Sequence, residues 1–416
     1  MTPQIKQRIE QIRRGEVPEG YKKTKVGIIP DEWNEECLGK YLQEYKELSN
    51  DIENYPVYSS SRQGLIPQSQ YYDNREAVET NLGYKIVPNG YVTYRHMSDD
   101  DIFHFNVNKT GSEVLVSSEY PVFTSTKKGD LGYLIPMLNG TARFRYFCRT
   151  QKMGGTRTRL YYKNLCTYKT AFATLPEQQK IAEILSAQDK LIALKEKLIE
   201  EKKRQKKALM QQLLTGKKRL PGFSGAWVAV KLGDIFAERV ETNCQDLELL
   251  SVTGTNGVVP RSTIETKDNS SEDKSKYLKI CKGDIGYNTM RMWQGVSALS
   301  EYEGIVSPAY TILIPSPEIS AKYFSYLFKM HAVIFLFYRF SQGIVDDTRS
   351  LKYYEFAKLH LTVPSDKKEQ EAIADILTVA DKEIEILQKD LDQEKQKKKA
   401  LMQLLLTGIV RVEVNE

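Results

Sequence analysis

Residues Glu177 to Arg219 read EQQKIAEILSAQDKLIALKEKLIEEKKRQKKALMQQLLTGKKR, and Glu369 to Arg411 read EQEAIADILTVADKEIEILQKDLDQEKQKKKALMQLLLTGIVR. The two align without a gap at a constant offset of 192, with about half of the positions identical. Ile373, Leu377, Ala380, Ile384, Leu387 and Leu391 alternate steps of four and three, the seam of a coiled coil. The first copy has the same seam in Ile181, Leu185, Gln188, Ile192, Lys195 and Ile199. Its two polar members, Gln188 and Lys195, are expected at seam ends or under another chain. From Glu177 to Leu214 a helix at 1.5 Å per residue is about 57 Å long, well beyond the usual core helix.

The repeat extends outward. Trp33, Leu38 and Gly39 open the first half as W-x4-L-G, and Trp227, Leu232 and Gly233 open the second. Gly64 and Pro67 in YSSSRQGLIP match Gly257 and Pro260 in SVTGTNGVVP, and Gly90 matches Gly283. Offsets that hold between 192 and 194 mark two copies of one unit. Before each long helix, short runs rich in Val, Ile, Tyr and Thr, broken by Gly, Asn and Pro, predict strands and hairpins. In the second half AKYFSYLFKMHAVIFLFYRF predicts a helix.

The expected organisation is a helical lead (1–20), a first domain (21–175), a long helix (176–216), a second domain (217–365), a second long helix (366–408) and a tail (409–416). The composition, 41% hydrophobic and 27% charged, suits a soluble chain of two cores. Five cysteines without CxxC spacing favour reduced thiols and a cytoplasmic setting. No uncharged apolar run is long enough to span a bilayer.

Catalytic signatures are missing. There is no P-loop, no G-x-G-x-x-G after a strand, and no Asn-Pro-Pro-aromatic or Asp-Pro-Pro-aromatic tetrapeptide of the amino-methyltransferase kind. Glu265-Thr266-Lys267 has the E-x-K form of some nucleases, without an acidic partner on a convincing strand. HMSDDDIFH (His96 to His104) fits no common metal spacing and reads as a polar surface loop.

The positive signal is electrostatic. The net charge is only +6, but residues 131–176 contain no Asp or Glu, while Arg143, Arg145, Arg149, Arg157 and Arg159 are interleaved with Tyr and Phe. Such a stretch suits a phosphodiester backbone, with some arginines paired to Asp99–Asp101. Candidate DNA contacts in the first half are Ser60, Ser61, Arg62 and Gln63 in one loop, Tyr94 and Arg95 in a second, Arg143 and Arg145, and Thr156, Arg157 and Arg159 beside a glycine turn. Those in the second half are Thr253, Thr255 and Asn256, then Tyr287, Asn288, Arg291 and Trp293, and Arg349. Divergent loops on one scaffold suggest two different sequences being read. The lysine runs at 202–207 and 394–399 read more readily as a solvated face than as phosphate contacts. The apolar blocks Leu209, Met210, Leu213, Leu214 and Leu401, Met402, Leu405, Leu406 read as partner-packing surfaces.

The entrances GYKKTKVGIIPDEW and RLPGFSGAWVAVKLG, with the paired EQ-x2-IA-x-IL helices ending in KKALMQxLLTG, resemble the specificity subunits of type I restriction-modification systems over essentially the whole chain. The resemblance implies an α+β fold: two similar target recognition domains joined by two long helices that pair as an antiparallel coiled coil with pseudo-twofold symmetry. It also implies that each domain reads half of a split DNA site and that the helices dock two modification subunits, joined by restriction subunits. No cofactor is expected in this chain; S-adenosylmethionine, ATP and Mg²⁺ are expected in those partners, and catalysis with them. A stand-alone DNA-binding or regulatory protein is the alternative.

Overall fold

A computed structural model of the chain describes residues 2–71, 83–152, 154, 156–254, 257–264, 270–343, 345 and 348–414. The E-x-K triplet at 265–267, Thr255, Asn256, Gly155, Asp346 and Asp347 lie outside the described residues. Two compact units form, residues 1–196 with 390–416 and residues 197–389. The long helices, Leu175–Leu213 and Lys367–Leu405, each contribute to both units.

In the first unit a four-stranded antiparallel sheet runs in the order Asn106–Val107, Val92–Thr93, Val122–Ser125, Leu42–Tyr45. In the second the order is Ser297–Leu299, Ile285–Asn288, Tyr310–Pro315, Phe236–Glu238. The registers correspond as well. Val92 pairs with Val107 and Phe123, and Ile285 pairs with Leu299 and Leu313. The internal repeat is therefore a repeat of sheet topology.

The W-x4-L-G entrances match because they make the same close approach. Leu38 N and Gly39 N donate to Tyr168 O and Cys166 O, while Leu232 N and Gly233 N donate to Leu359 O and Ala357 O. A Cβ on Gly39 would lie 2.9 Å from Cys166 Cβ, and one on Gly233 would lie 2.8 Å from Ala357 O, so glycine is required at both.

Each core is closed by the start of one long helix and the end of the other. Ile181, Leu185, Leu405 and Leu406 join Trp33, Phe105, Phe123 and Phe144 in the first unit. Leu213, Leu214, Ile373 and Leu377 join Phe236, Phe324 and Phe356 in the second. This corrects the partner-packing expectation for the four leucines that end the apolar blocks. Leu213, Leu214, Leu405 and Leu406 are buried in their own units, with Leu209, Met210, Leu401 and Met402 packed beside them. Each buried leucine is worth about 2 kcal/mol, which explains the near-verbatim repetition without an external partner.

Within each unit the two long helices run antiparallel. In the first, Gln188 donates to Glu394, and Lys195 pairs with Asp390 and Glu394. In the second, Lys202 pairs with Glu383 and Lys206 with Asp381. The polar seam residues thus lie in mid-seam, against carboxylates of the other helix and not at its ends. The lysine runs are likewise partly committed, since Lys395 meets Glu196 and Lys398 meets Asp189. The apolar run after Ser320 forms two helices, Ala321–Leu327 and His331–Phe340, in place of the single one expected.

Candidate nucleic-acid interface

In the first unit three of the candidate loops come together. Strands Tyr58–Ser61 and Gly64–Pro67 form a hairpin whose two-residue tip is Arg62–Gln63, with Gly64 at φ +120°. Asn106 Nδ2 holds this hairpin through Ser60 Oγ and Ser61 O, both at 2.8 Å. Met97–Ser98 pairs with Thr158–Arg159, which brings the glycine-turn arginines beside the loop that follows Tyr94. Ser60–Gln63, Arg95 and Asp99 line one cleft of about 440 Å³.

Two of the residues lining this cleft, Arg62 and Asp99, are held in ion pairs. Arg62 Nη2 lies 2.7 Å from Asp100 Oδ2, and Arg157 Nε lies 2.8 Å from Asp99 Oδ1. All four side chains are substantially exposed, so each pair contributes only about 0–1 kcal/mol and exchanges readily for another anion. Asp101, at φ +62°, accepts from Thr158 Oγ1. Hydrogen bonds from Ser98 and Ile102 and the guanidinium of Arg62 hold the Asp100 carboxyl below its usual range, against burial, which is the largest single influence and raises it.

Not every candidate reaches this surface. Tyr94 is fully buried, donating 2.9 Å to Leu160 O, so it shapes the core and cannot stack on a base. Ser60 is buried under Asn106. Arg143 donates to Val26 O on the entrance hairpin, while Arg145 stands exposed on helix Ala142–Thr150. His96, expected in a surface loop, is buried with its ring stacked on Tyr161, and burial pulls its pKa down. Among the described residues no group of three His, Cys, Asp or Glu side chains could hold a metal ion.

The second unit offers other chemistry at the corresponding place. The hairpin Leu250–Thr253 and Gly257–Pro260 is closed by Thr253 Oγ1 donating 2.9 Å to Gly257 O. Tyr287, like Tyr94, is fully buried and is no contact. Asn288 Oδ1 accepts from Met290 N, which turns the chain so that Arg291 is exposed. Trp293 donates to Met290 O and packs edge-on to Tyr338, with ring centroids 6.0 Å apart. Arg349 lies over the same tyrosine ring at 4.2 Å, the geometry of a cation–π contact. Phe335, 55% exposed, lies nearly parallel to the Tyr338 ring, with centroids 6.4 Å apart. Sequence reasoning missed Tyr338 and Phe335, although aromatic residues three apart on a helix with its own buried face are the available signal.

Residues 38–204 and 225–395 match the family described as type I restriction modification DNA specificity domain. The chain belongs to this family. It carries two specificity domains in tandem, one per matched segment, which the repeated sheet topology reflects. Among curated relatives it is 24% identical to the "Putative type I restriction enzyme MjaX specificity subunit" of Methanocaldococcus jannaschii, over 95% of this chain and 97% of that protein. The fold is also that of the type I restriction-modification S subunit of M. genitalium, with TM-score 0.54, 14% identity, and 92% and 97% of the two chains covered. A second structure, described as the basis of complex assembly and conformational transition of the type I R-M system, gives TM-score 0.52 at 13% identity, covering 92% and 99%. As a specificity subunit the chain has five free cysteines and, among the described residues, no helix long and apolar enough to cross a membrane.

Proposed function

We propose that this chain is the DNA-reading subunit of a type I restriction-modification complex, each specificity domain addressing one half of a split duplex site. The observation that carries the reading is one scaffold presenting two chemistries: exposed Arg62, Gln63, Arg95, Arg157 and Arg159 in the first unit, and exposed Arg291 with Trp293 and Arg349 against Tyr338 in the second. Arginine forks suit phosphates and guanine edges, while an aromatic platform suits base or methyl faces. On this reading DNA phosphates displace Asp99 and Asp100 from Arg157 and Arg62. Two related readers address faces of the duplex about one helical turn (~34 Å) apart or a multiple of it.

Catalysis belongs to partner subunits that bring S-adenosylmethionine, ATP and Mg²⁺. With Leu213, Leu214, Leu405 and Leu406 buried, docking of the modification subunits falls to the apolar side chains the long helices leave exposed, Leu191, Leu194 and Leu198 on one and Ile376, Val379 and Ile386 on the other. Steps of three and four in the first set, and of three and seven in the second, suit an incoming amphipathic helix. Leu194→Asp with Ile386→Asp is expected to abolish co-purification of the modification subunit from host lysate while leaving the thermal midpoint within a few degrees; undiminished recovery contradicts the docking surface. DNA reading is tested by mapping genomic methylation with and without this gene, and a bipartite motif that disappears with the gene is the expected result.

A further inference from the structure

Helix Leu131–Gly140, capped by Asp130, and helix Ala321–Leu327, capped by Ser320, begin at an offset of 190. Strands Val122–Ser125 and Tyr310–Pro315 share this offset, since Phe123 and Leu313 occupy the same register position. The caps are held alike, Asp130 N donating to Gln178 Oε1 and Ser320 N to Gln370 Oε1. Nine residues past each cap stand Asn139 and Lys329.

Both side chains grip backbone at the same place on the sheet. Asn139 accepts from Phe105 N at 2.9 Å and donates to Phe105 O at 3.0 Å. Lys329 Nζ donates to Gly295 O at 2.7 Å and Ser297 O at 2.6 Å. Phe105 and Ser297 correspond, because each precedes the residue, Asn106 or Ala298, that faces Thr93 or Gly286 across the sheet. They lie on the outer edge, where peptide groups lack a ladder partner. Each also ends a candidate reading loop, the one from Tyr94 to His104 in the first unit and the one bearing Arg291 and Trp293 in the second.

We infer that Asn139 and Lys329 are positioning residues for sequence selectivity, each latching the edge from which its unit's reading loop returns to the sheet. The inference rests on the DNA-reading function proposed above. The duplicated scaffold keeps the latch while changing its chemistry: a neutral amide closes on one residue in the first unit, and an ammonium bridges two carbonyls across Val296 in the second. Gly295, at φ +80°, leaves only 2.7 Å between an added Cβ and Ile334 Cδ1, so the bridged turn fits closely against the neighbouring helix.

The test uses the full chain carrying Lys329→Met, Lys329→Arg or Asn139→Leu, with two readouts. Amide hydrogen exchange in the free protein reports the latch without DNA. Binding to duplexes bearing the mapped methylation motif, with single-base changes in either half, reports selectivity. Lys329→Met is expected to speed exchange at residues 290–297 about tenfold, the loss of charged hydrogen bonds, with residues 94–106 unchanged. It is also expected to lower discrimination about tenfold in the second unit's half-site alone, with affinity for random-sequence duplex retained. Lys329→Arg restores both, and Asn139→Leu gives the reciprocal pattern. Unchanged exchange, or equal loss of discrimination in both halves, overturns the latch. Should Lys329→Met fail to fold, the Asn139→Leu pattern decides. Absence of any sequence-selective binding by the wild type refutes the reading function, and the exchange data then still decide whether the latch exists.

Discussion

Glu177 and Glu369 open the long helices with carboxylates that have almost no contact with water. Glu177 accepts from Trp33 Nε1 at 2.8 Å and Arg411 Nε at 2.7 Å, and Glu369 takes both arms of Arg219 at 2.7 and 2.8 Å. The arginines sit at the same offset as the glutamates, so the repeated helix carries both ends of a bond made to its other copy. Removing the carboxylate leaves Arg219 with Gly225 O, or Arg411 with Glu32, and at Glu177 it also takes the acceptor from the Trp33 indole N–H. Glu177→Ala is expected to cost about 3 kcal/mol in urea unfolding; a loss under about 0.5 kcal/mol would mean that Glu32 and solvent already satisfy Arg411. Lys329 supplies a pH signature. Burial, with Lys206 adding to it, lowers its pKa from 10.5 to about 8. Between these values the unfolded chain binds a proton that the folded chain has released, so this group's contribution to stability rises with pH. The stability of wild type relative to Lys329→Met is therefore expected to grow between pH 7.5 and 9.5; a flat difference contradicts the lowered value.

At the scale of elements, the long helices were legible in the sequence because a heptad seam and a gapless repeat need no tertiary context. Their end blocks were misread for the same reason. ALMQxLLTG is apolar and repeated whether it meets a partner protein or its own core, and only the antiparallel path, which carries Leu405 and Leu406 into the first unit, separates the two. Leu405→Ala is accordingly expected to destabilise the chain by about 3 kcal/mol, as cavity formation in a core does. A near-zero change in the unfolding midpoint would return the block to a docking role. Gln188 and Lys195 were misplaced because their partners are polar too: Glu394 falls on the step of three after Leu391, where the apolar pattern stops, and Asp390 flanks the seam. In the candidate site the loops were legible as polar, glycine-closed segments at matching offsets. The burial of Tyr94 and Tyr287 was not, since a tyrosine's sequence neighbours do not reveal whether its hydroxyl faces a carbonyl such as Leu160 O.

At the scale of the molecule, the first unit is discontinuous, residues 1–196 with 390–416, while the second is the single stretch 197–389. Each core nonetheless takes in the start of one long helix and the end of the other, so the two specificity domains are built on the same pair of helices. The central claim is that each domain reads its own half of one site. It is tested most directly by replacing residues 40–170 with the corresponding segment of another family member and mapping the methylated motif in the host. The account predicts that one half of the motif changes and the other stays; a change in both halves, or in neither, would contradict it.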